Sequence, residues 1–200
     1  MSSSVGSLTN PQKIYDTFKS NGEKELSINT VNSYLRFIED SFIVSKASRY
    51  NVKGRKYIST PNKYYFSDLG LRNARLNFRQ IEESHLMENA IYNELKNRGY
   101  LVDVGAVSIS EANENGNYVK KQIEVDFVVN NGSNRYYIQS AYHLPTFEKE
   151  SQELRPLLNI PDSFKKIIIV RDNIKLKRDD NGIVTISLKE FLLNENSLDL

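Results

Sequence analysis

A chain of 200 residues has room for one large domain or two small ones, and 39% apolar with 26% charged residues is an ordinary globular composition. The absence of cysteine excludes disulfides, thiolate zinc centres and cysteine nucleophiles. No run of the sequence is apolar enough to span a membrane and no signal-peptide core opens it, so a cytoplasmic location is expected. The net charge of +2 hides a division: residues 1–80 hold thirteen Lys/Arg against six Asp/Glu, whereas residues 81–200 hold fourteen against nineteen. Within 44–80, nine basic residues face Asp68 alone, which points to two functional surfaces.

Residues 1–6 read as a leader without structure of their own. Asn10-Pro11 is a helix start, with Asn as cap and proline where its missing N–H costs nothing. Ile14 and Phe18 share a face, and Gly22 suits the stop. Ser27 caps a second helix whose buried stripe is Ile28, Val31, Leu35 and Ile38. Its other face presents Asn29, Asn32, Ser33 and Arg36, a polar set suited to gripping DNA. The period then changes to two: Phe42–Val44 and Tyr64–Phe66 read as strands around a basic hairpin tip at 51–56. Two helices followed by a basic hairpin predict a winged helix over 7–80. Arg49, Lys53, Arg55 and Lys56 on the wing would follow a phosphate backbone.

The remainder, 81–200, reads as an α/β unit. Residues 84–98 predict a helix with Leu86, Ala90, Ile91 and Leu95 inward and Glu88 at the edge of that stripe. Strands are expected at 100–109, 122–129 and 136–142, then a helix at 147–158, a buried strand at 166–170, a last strand at 183–186 and a helix at 188–193. Simple alternation puts Ile123, Val125, Phe127 and Val129 on one face of the second strand and Glu124 with Asp126 on the other. A tight turn would bring Asp126 opposite Gln139. His85 and His143 lack metal-ligand partners at useful spacing and read as surface residues. No serine lies in a nucleophile-elbow pattern.

This helix, three-strand meander, helix and strand order resembles the PD-(D/E)xK restriction-endonuclease-like superfamily. That resemblance implies an acid and a second acid or Gln on adjacent strands holding a divalent metal, with a lysine two residues further on. The matching positions are Glu88, Asp126 and Gln139, but Ala141 stands in the lysine slot, so a vestigial site is expected. Lys120 and Lys121 are the candidate substitutes for that lysine, and Arg155 is a basic neighbour that could relieve repulsion among the acids. No cofactor is otherwise expected; Mg²⁺ or Mn²⁺ on Asp126 and Glu124 is the exception the chemistry leaves open.

Four phrases carry a wider likeness: Ser7–Ile14, Thr30–Leu35, Lys63–Asn73 and Glu88–Leu95. Through them the chain resembles the C-terminal region of a family of predicted prokaryotic AAA+-type ATPases. The resemblance implies a P-loop ATPase domain as partner, and no Gly-x-x-x-x-Gly-Lys-Ser/Thr pattern occurs in this sequence. It leads to an accessory module that binds DNA or docks proteins, with no small-molecule substrate and no membrane contact. A metal-dependent DNA endonuclease with a relocated lysine, and a purely protein-binding regulatory module, stand as the alternatives.

Overall fold

The computed structural model describes residues 5–23, 25–79, 82–113 and 116–200. The predicted leader falls partly outside these. Its end does not: Val5 is buried and Gly6 N–H donates to Tyr64 C=O at 3.4 Å, and just beyond the leader Thr9 exchanges two backbone hydrogen bonds with Asn62 (2.8 Å each).

Two helices come first, α1 (Pro11–Ser20) and α2 (Ile28–Asp40). Their starts are set by side-chain caps: Lys13 N–H donates to Asn10 Oδ1 (2.7 Å) and Thr30 N–H to Ser27 Oγ (3.1 Å). Strands β1 (Val44–Asn51) and β2 (Lys56–Phe66) form the basic hairpin. The alternation predicts a strand from Phe42, but β1 begins only at Val44. Phe42 takes a left-handed φ of 57° and stays 82% exposed, turning the chain out of α2. A short helix α3 (Leu69–Arg75), capped by Asp68, was not foreseen. Then follow α4 (Glu83–Asn97), β3 (Leu101–Ala112), β4 (Tyr118–Asn131), β5 (Asn134–Ala141), α5 (Phe147–Leu158), β6 (Lys165–Val170), β7 (Lys177–Arg178), β8 (Val184–Ser187) and α6 (Leu188–Leu193).

The eight strands of the described residues join one mixed sheet in the order β2-β1-β3-β4-β5-β6-β8-β7. The fold class is α/β, as the sequence predicted. The hairpin is not set apart from the rest, because β1 runs parallel to β3 with Arg49, Tyr50 and Asn51 beside Val104, Gly105 and Ala106. One face of the sheet packs under α4 and α6 through Ile91, Leu95, Phe127, Ile138 and Phe191. The other packs under α5 through Val125, Val128, Tyr137, Leu157 and Ile168. A smaller cluster of Val5, Val44, Tyr64 and Phe66 lies against Ile38 of α2. No helix among the described residues is long and apolar enough to cross a membrane.

Strict alternation along β4 fails at one point. The register steps from Asp103–Val128 to Gly105–Val125, so an extra residue is accommodated in β4. Upstream of it Val125 belongs to the α5 face, while Phe127 and Val129 belong to the α4 face. Phe127 therefore joins Asp126 on one side instead of opposing it. Gly105 permits this crossing, since a Cβ there would lie 3.0 Å from both Val125 Cβ and Val128 Cγ2.

The joint between the hairpin and α4 is polar, with Asn89 fully buried and Asn93 half-buried. Asn89 accepts from Phe66 N–H and donates to Phe66 C=O, both at 2.8 Å, and Asn93 donates to the same carbonyl at 3.0 Å. The side chain of Asn89 thus acts as one more strand for the end of β2. Replacing Asn89 by Leu leaves the Phe66 N–H without that acceptor in the core. The expected loss of stability is about 2–4 kcal/mol, read as a lower urea midpoint with unchanged slope.

Candidate functional site

Three carboxylates meet where α4, β2 and β4 converge. Glu88 comes from the second turn of α4, and Glu124 and Asp126 project two residues apart from β4. Between them stands an ammonium. Lys63 Nζ lies 2.9 Å from Glu88 Oε1, 2.5 Å from Glu124 Oε1 and 3.4 Å from Asp126 Oδ1, and its side chain is only 4% exposed. An ammonium has three N–H donors, and here each has a carboxylate to meet. Tyr65, two residues on along the same face of β2, donates its hydroxyl to Glu88 Oε1 at 2.6 Å. The second oxygen of Asp126 accepts the Ser140 N–H at 2.9 Å. From the other side Gly6 lies against Glu88, close enough that a Cβ would sit 3.2 Å from Oε2.

The electrostatics follow from burial and an uneven charge count. Burial alone would lower the Lys63 pKa, but Asp126, Glu88 and Glu124 overcome it and raise it. Desolvation, helped by Asp126, pushes Glu88 up to about 7 against the opposing pull of Lys63 and Tyr65. Desolvation also raises Glu124, with Lys63 again opposing. Tyr65 is raised by burial and by the Glu88 carboxylate. One ammonium cannot neutralise three carboxylates in so dry a place, and the surplus is relieved by Glu88 holding its proton more tightly.

Of the expected nuclease positions, Glu88 and Asp126 do meet, with Glu124. Gln139 does not join them. Its Oε1 accepts from Asp126 N–H at 3.4 Å, but its amide donates to Glu153 of α5 at 3.0 Å. Ala141, in the same alternation, is packed with Leu157 and Val170 in the α5-side core. The β5 residue whose backbone reaches the Asp126 carboxylate is Ser140. Lys120 and Lys121 stay exposed further out on β4, and Lys121 pairs with Glu111 at 3.3 Å. Arg155 also goes to Glu111 (3.1 Å) and leaves the acid cluster alone. The lysine that reaches the acids was the one not singled out. Its signal was the alternation of Lys63 and Tyr65 in a strand end otherwise built of aromatic residues.

A divalent cation does not fit this cluster as it stands. The ammonium already occupies the centre and draws one oxygen from each acid, and among the described residues no group of three His, Cys, Asp or Glu is arranged to hold a metal ion. The two histidines take no part: His85 sits beside Glu82, and His143 pairs with Asp172 at 3.0 Å.

The expected nucleic-acid contacts divide as well. Asn32, Arg36, Lys53, Arg55 and Lys56 are exposed, and Ser33 is half-buried. Arg49 is buried, with Nη2 donating to Gln122 Oε1 at 3.1 Å, so it braces the sheet instead of projecting from a wing. Lys53 arches back to Ser108 C=O at 2.7 Å.

Two outcomes follow from the cluster. Because the folded-state pKa of Glu88 is raised from 4.5 to about 7, its contribution to stability is full below pH 4.5 and is lost as pH rises to about 7. Wild-type protein should therefore lose on the order of 2 kcal/mol between pH 5 and pH 8 relative to Glu88→Gln, measured by urea unfolding at each pH. Removing the ammonium alone, in Lys63→Ala, strands buried Glu88 and Asp126 beside half-buried Glu124 and should cost about 3–5 kcal/mol. Mn²⁺ should then raise the melting temperature of Lys63→Ala and leave that of the wild type unchanged.

Comparison with known proteins adds two findings. The family model of a domain of unknown function (DUF8612) matches residues 1–82, ending just before α4, although the sheet and the Lys63 cluster both cross that boundary. An uncharacterized protein of Haemophilus influenzae is 31% identical over 193 residues, which is 96% of this chain and 44% of that protein. The chain thus spans less than half the length of this relative.

Proposed function

We propose that the chain is a non-catalytic accessory module of a larger, ATPase-type protein, binding nucleic acid through its basic hairpin while its nuclease-like acid cluster serves as an internal joint. The position of Lys63 carries this reading. A site built to polarise a phosphate needs acids that can take up a metal and face solvent. Here the acids are tied to a buried ammonium, and Gly6 lies against Glu88. Exposed Lys53, Arg55 and Lys56 at the hairpin tip and Arg36 on α2 supply the charge for phosphate contacts. The relative of which this chain covers 44% is long enough to include a motor domain as well.

A second reading has one observation in its favour. Lys63 Nζ is 3.4 Å from Asp126, within the reach of a relocated nuclease lysine that would release the acids to a metal once substrate arrived. A third, protein docking, is favoured by the exposed rings of Tyr34 (56%), Phe37 (58%) and Phe42 (82%) on and beside α2.

One assay separates them. Labelled duplex and branched DNA are mixed with the protein at 50 and 200 mM salt, with Mn²⁺ or with chelator. The first reading expects a shift that weakens tens of fold over this salt range if three phosphates are held (~40-fold for a slope of about −2.7), and less steeply after Lys53, Arg55 and Lys56 are changed to Ala. Mn²⁺-dependent cleavage lost in Asp126→Ala would establish the second reading. No shift at either salt would leave the docking surface.

A further inference from the structure

The nucleic-acid reading leaves the β3–β4 ribbon beside the hairpin, with Lys120 and Tyr118, without a role. β3 and β4 run far beyond the strands that flank them. β5 pairs with β4 only from Phe127 onward and β1 meets β3 only at Val104–Ala106, so residues 107–112 and 118–124 form a projecting two-stranded ribbon. The two faces of this ribbon differ in kind. On the α5 side, Glu111 pairs with both Lys121 and Arg155, so each cation there already has a carboxylate partner.

The opposite face is open. Cross-strand pairing sets Ser110 beside Lys120 and Ser108 beside Gln122. Through Arg49, which bonds Gln122, this face continues onto the hairpin, where Lys56 stands opposite Asn51. Lys53 reaches over from the tip to Ser108 C=O. Lys56, Ser110, Lys120 and Gln122 are all exposed, and the outer end of the face has the ring of Tyr118, 78% exposed. Along it the residues between the cations, Ser108, Ser110 and Ala112, are small. Among the described residues of the ribbon, the acid on this face is Glu124, at the inner end, and Lys63 holds it.

We propose that this face is a platform for a single strand of nucleic acid, with phosphates on Lys53, Lys56 and Lys120 and a base stacked on Tyr118, running inward toward the acid cluster. The proposal rests on the nucleic-acid reading above and assigns the surface and the strandedness. An open sheet face that carries lysines and an exposed aromatic ring suits unpaired bases, because every base has a π-face and stacking needs no particular sequence. A duplex has its bases already stacked and offers Tyr118 nothing to hold.

The test is fluorescence anisotropy of the full chain with a labelled 20-nucleotide single strand and with the corresponding duplex, at 50 and 200 mM salt. Tyr118→Ala should weaken single-strand binding by roughly 5- to 100-fold and leave the urea midpoint unchanged, since the residue is 78% exposed. Lys120→Glu should weaken it by at least about tenfold and flatten the salt dependence, whereas Lys121→Glu, one residue along on the other face, should change it less than about twofold. Equal losses for Lys120→Glu and Lys121→Glu would reduce the effect to bulk charge and overturn the platform. Tighter duplex binding with the same pattern of losses would overturn the single-strand assignment. Binding that depends on Lys53 and Arg55 but on neither Tyr118 nor Lys120 would overturn the platform and leave the hairpin reading standing. Absence of binding to either probe would remove both.

Discussion

Burying a lysine is costly unless the charge is answered within hydrogen-bond distance, and the architecture is organised around that demand. Lys63 is answered by Glu88 from a helix and by Glu124 and Asp126 from a different strand. No pair of these elements is adjacent in sequence, so the ammonium links the hairpin to the central sheet and to α4 in a single contact. Such a cluster adds little net stability compared with an apolar core of the same volume, but breaking it leaves uncompensated charge inside. Its effect is therefore on geometry: β2, β4 and α4 can take only the arrangement in which all four groups meet. Tyr65 and the Asn89 bonds to the Phe66 backbone reinforce the same junction within a few residues.

This junction explains why two separated phrases of the sequence are so distinctive. Lys63-Tyr64-Tyr65-Phe66 and Glu88-Asn89 are about twenty-five residues apart, and they form one interface. Lys63 and Tyr65 meet Glu88, the Phe66 backbone meets Asn89, and Tyr65 stacks on Tyr92 with ring centroids 4.2 Å apart. Polar and aromatic residues predominate here because the end of an edge strand must be satisfied where no further strand is available to pair with it. The interface also works against a view of the hairpin as a free-standing wing. Its strands are the first two of the eight-stranded sheet, and its buried Arg49 braces β4 through Gln122.

The irregularity in β4 has consequences at both ends. Gly105 lets an extra residue pass, and Asp126 and Phe127 then share the α4 side of the sheet. Asp126 can join the polar cluster while Phe127, next to it, packs with Tyr65 and Tyr92 in the core. The same turn of the chain separates Asp126 from Gln139, whose side chain goes to Glu153 on the far face. The nuclease-like pattern is therefore present as an order of elements and as a meeting of acids. The neighbouring strand β5, however, supplies a backbone N–H from Ser140 where the pattern would have a side chain. Outward of the irregularity β4 returns to plain alternation, which sorts the lysines of the ribbon cleanly between a paired face and an open one.

Much of this was determined locally. Capping by Asn10 and Ser27, the amphipathic stripe of α2, the apolar run of β6 and the bounds of α5 and α6 depend on residues within a few positions of each other, and those elements lie where the sequence places them. The gathering of Glu88 and Asp126 was also legible, through the order of elements. What the sequence could not determine were features set by contact between distant segments. These are the length of the β3–β4 ribbon, the side-switch at Phe127, the inward turn of Arg49 and the choice of Lys63 over Lys120 or Lys121 as the partner of the acids. Strand periodicity reports only which residues alternate. Which face each set occupies, and which cation is close enough to answer a buried carboxylate, is decided when the sheet closes and the desolvated charges must be matched.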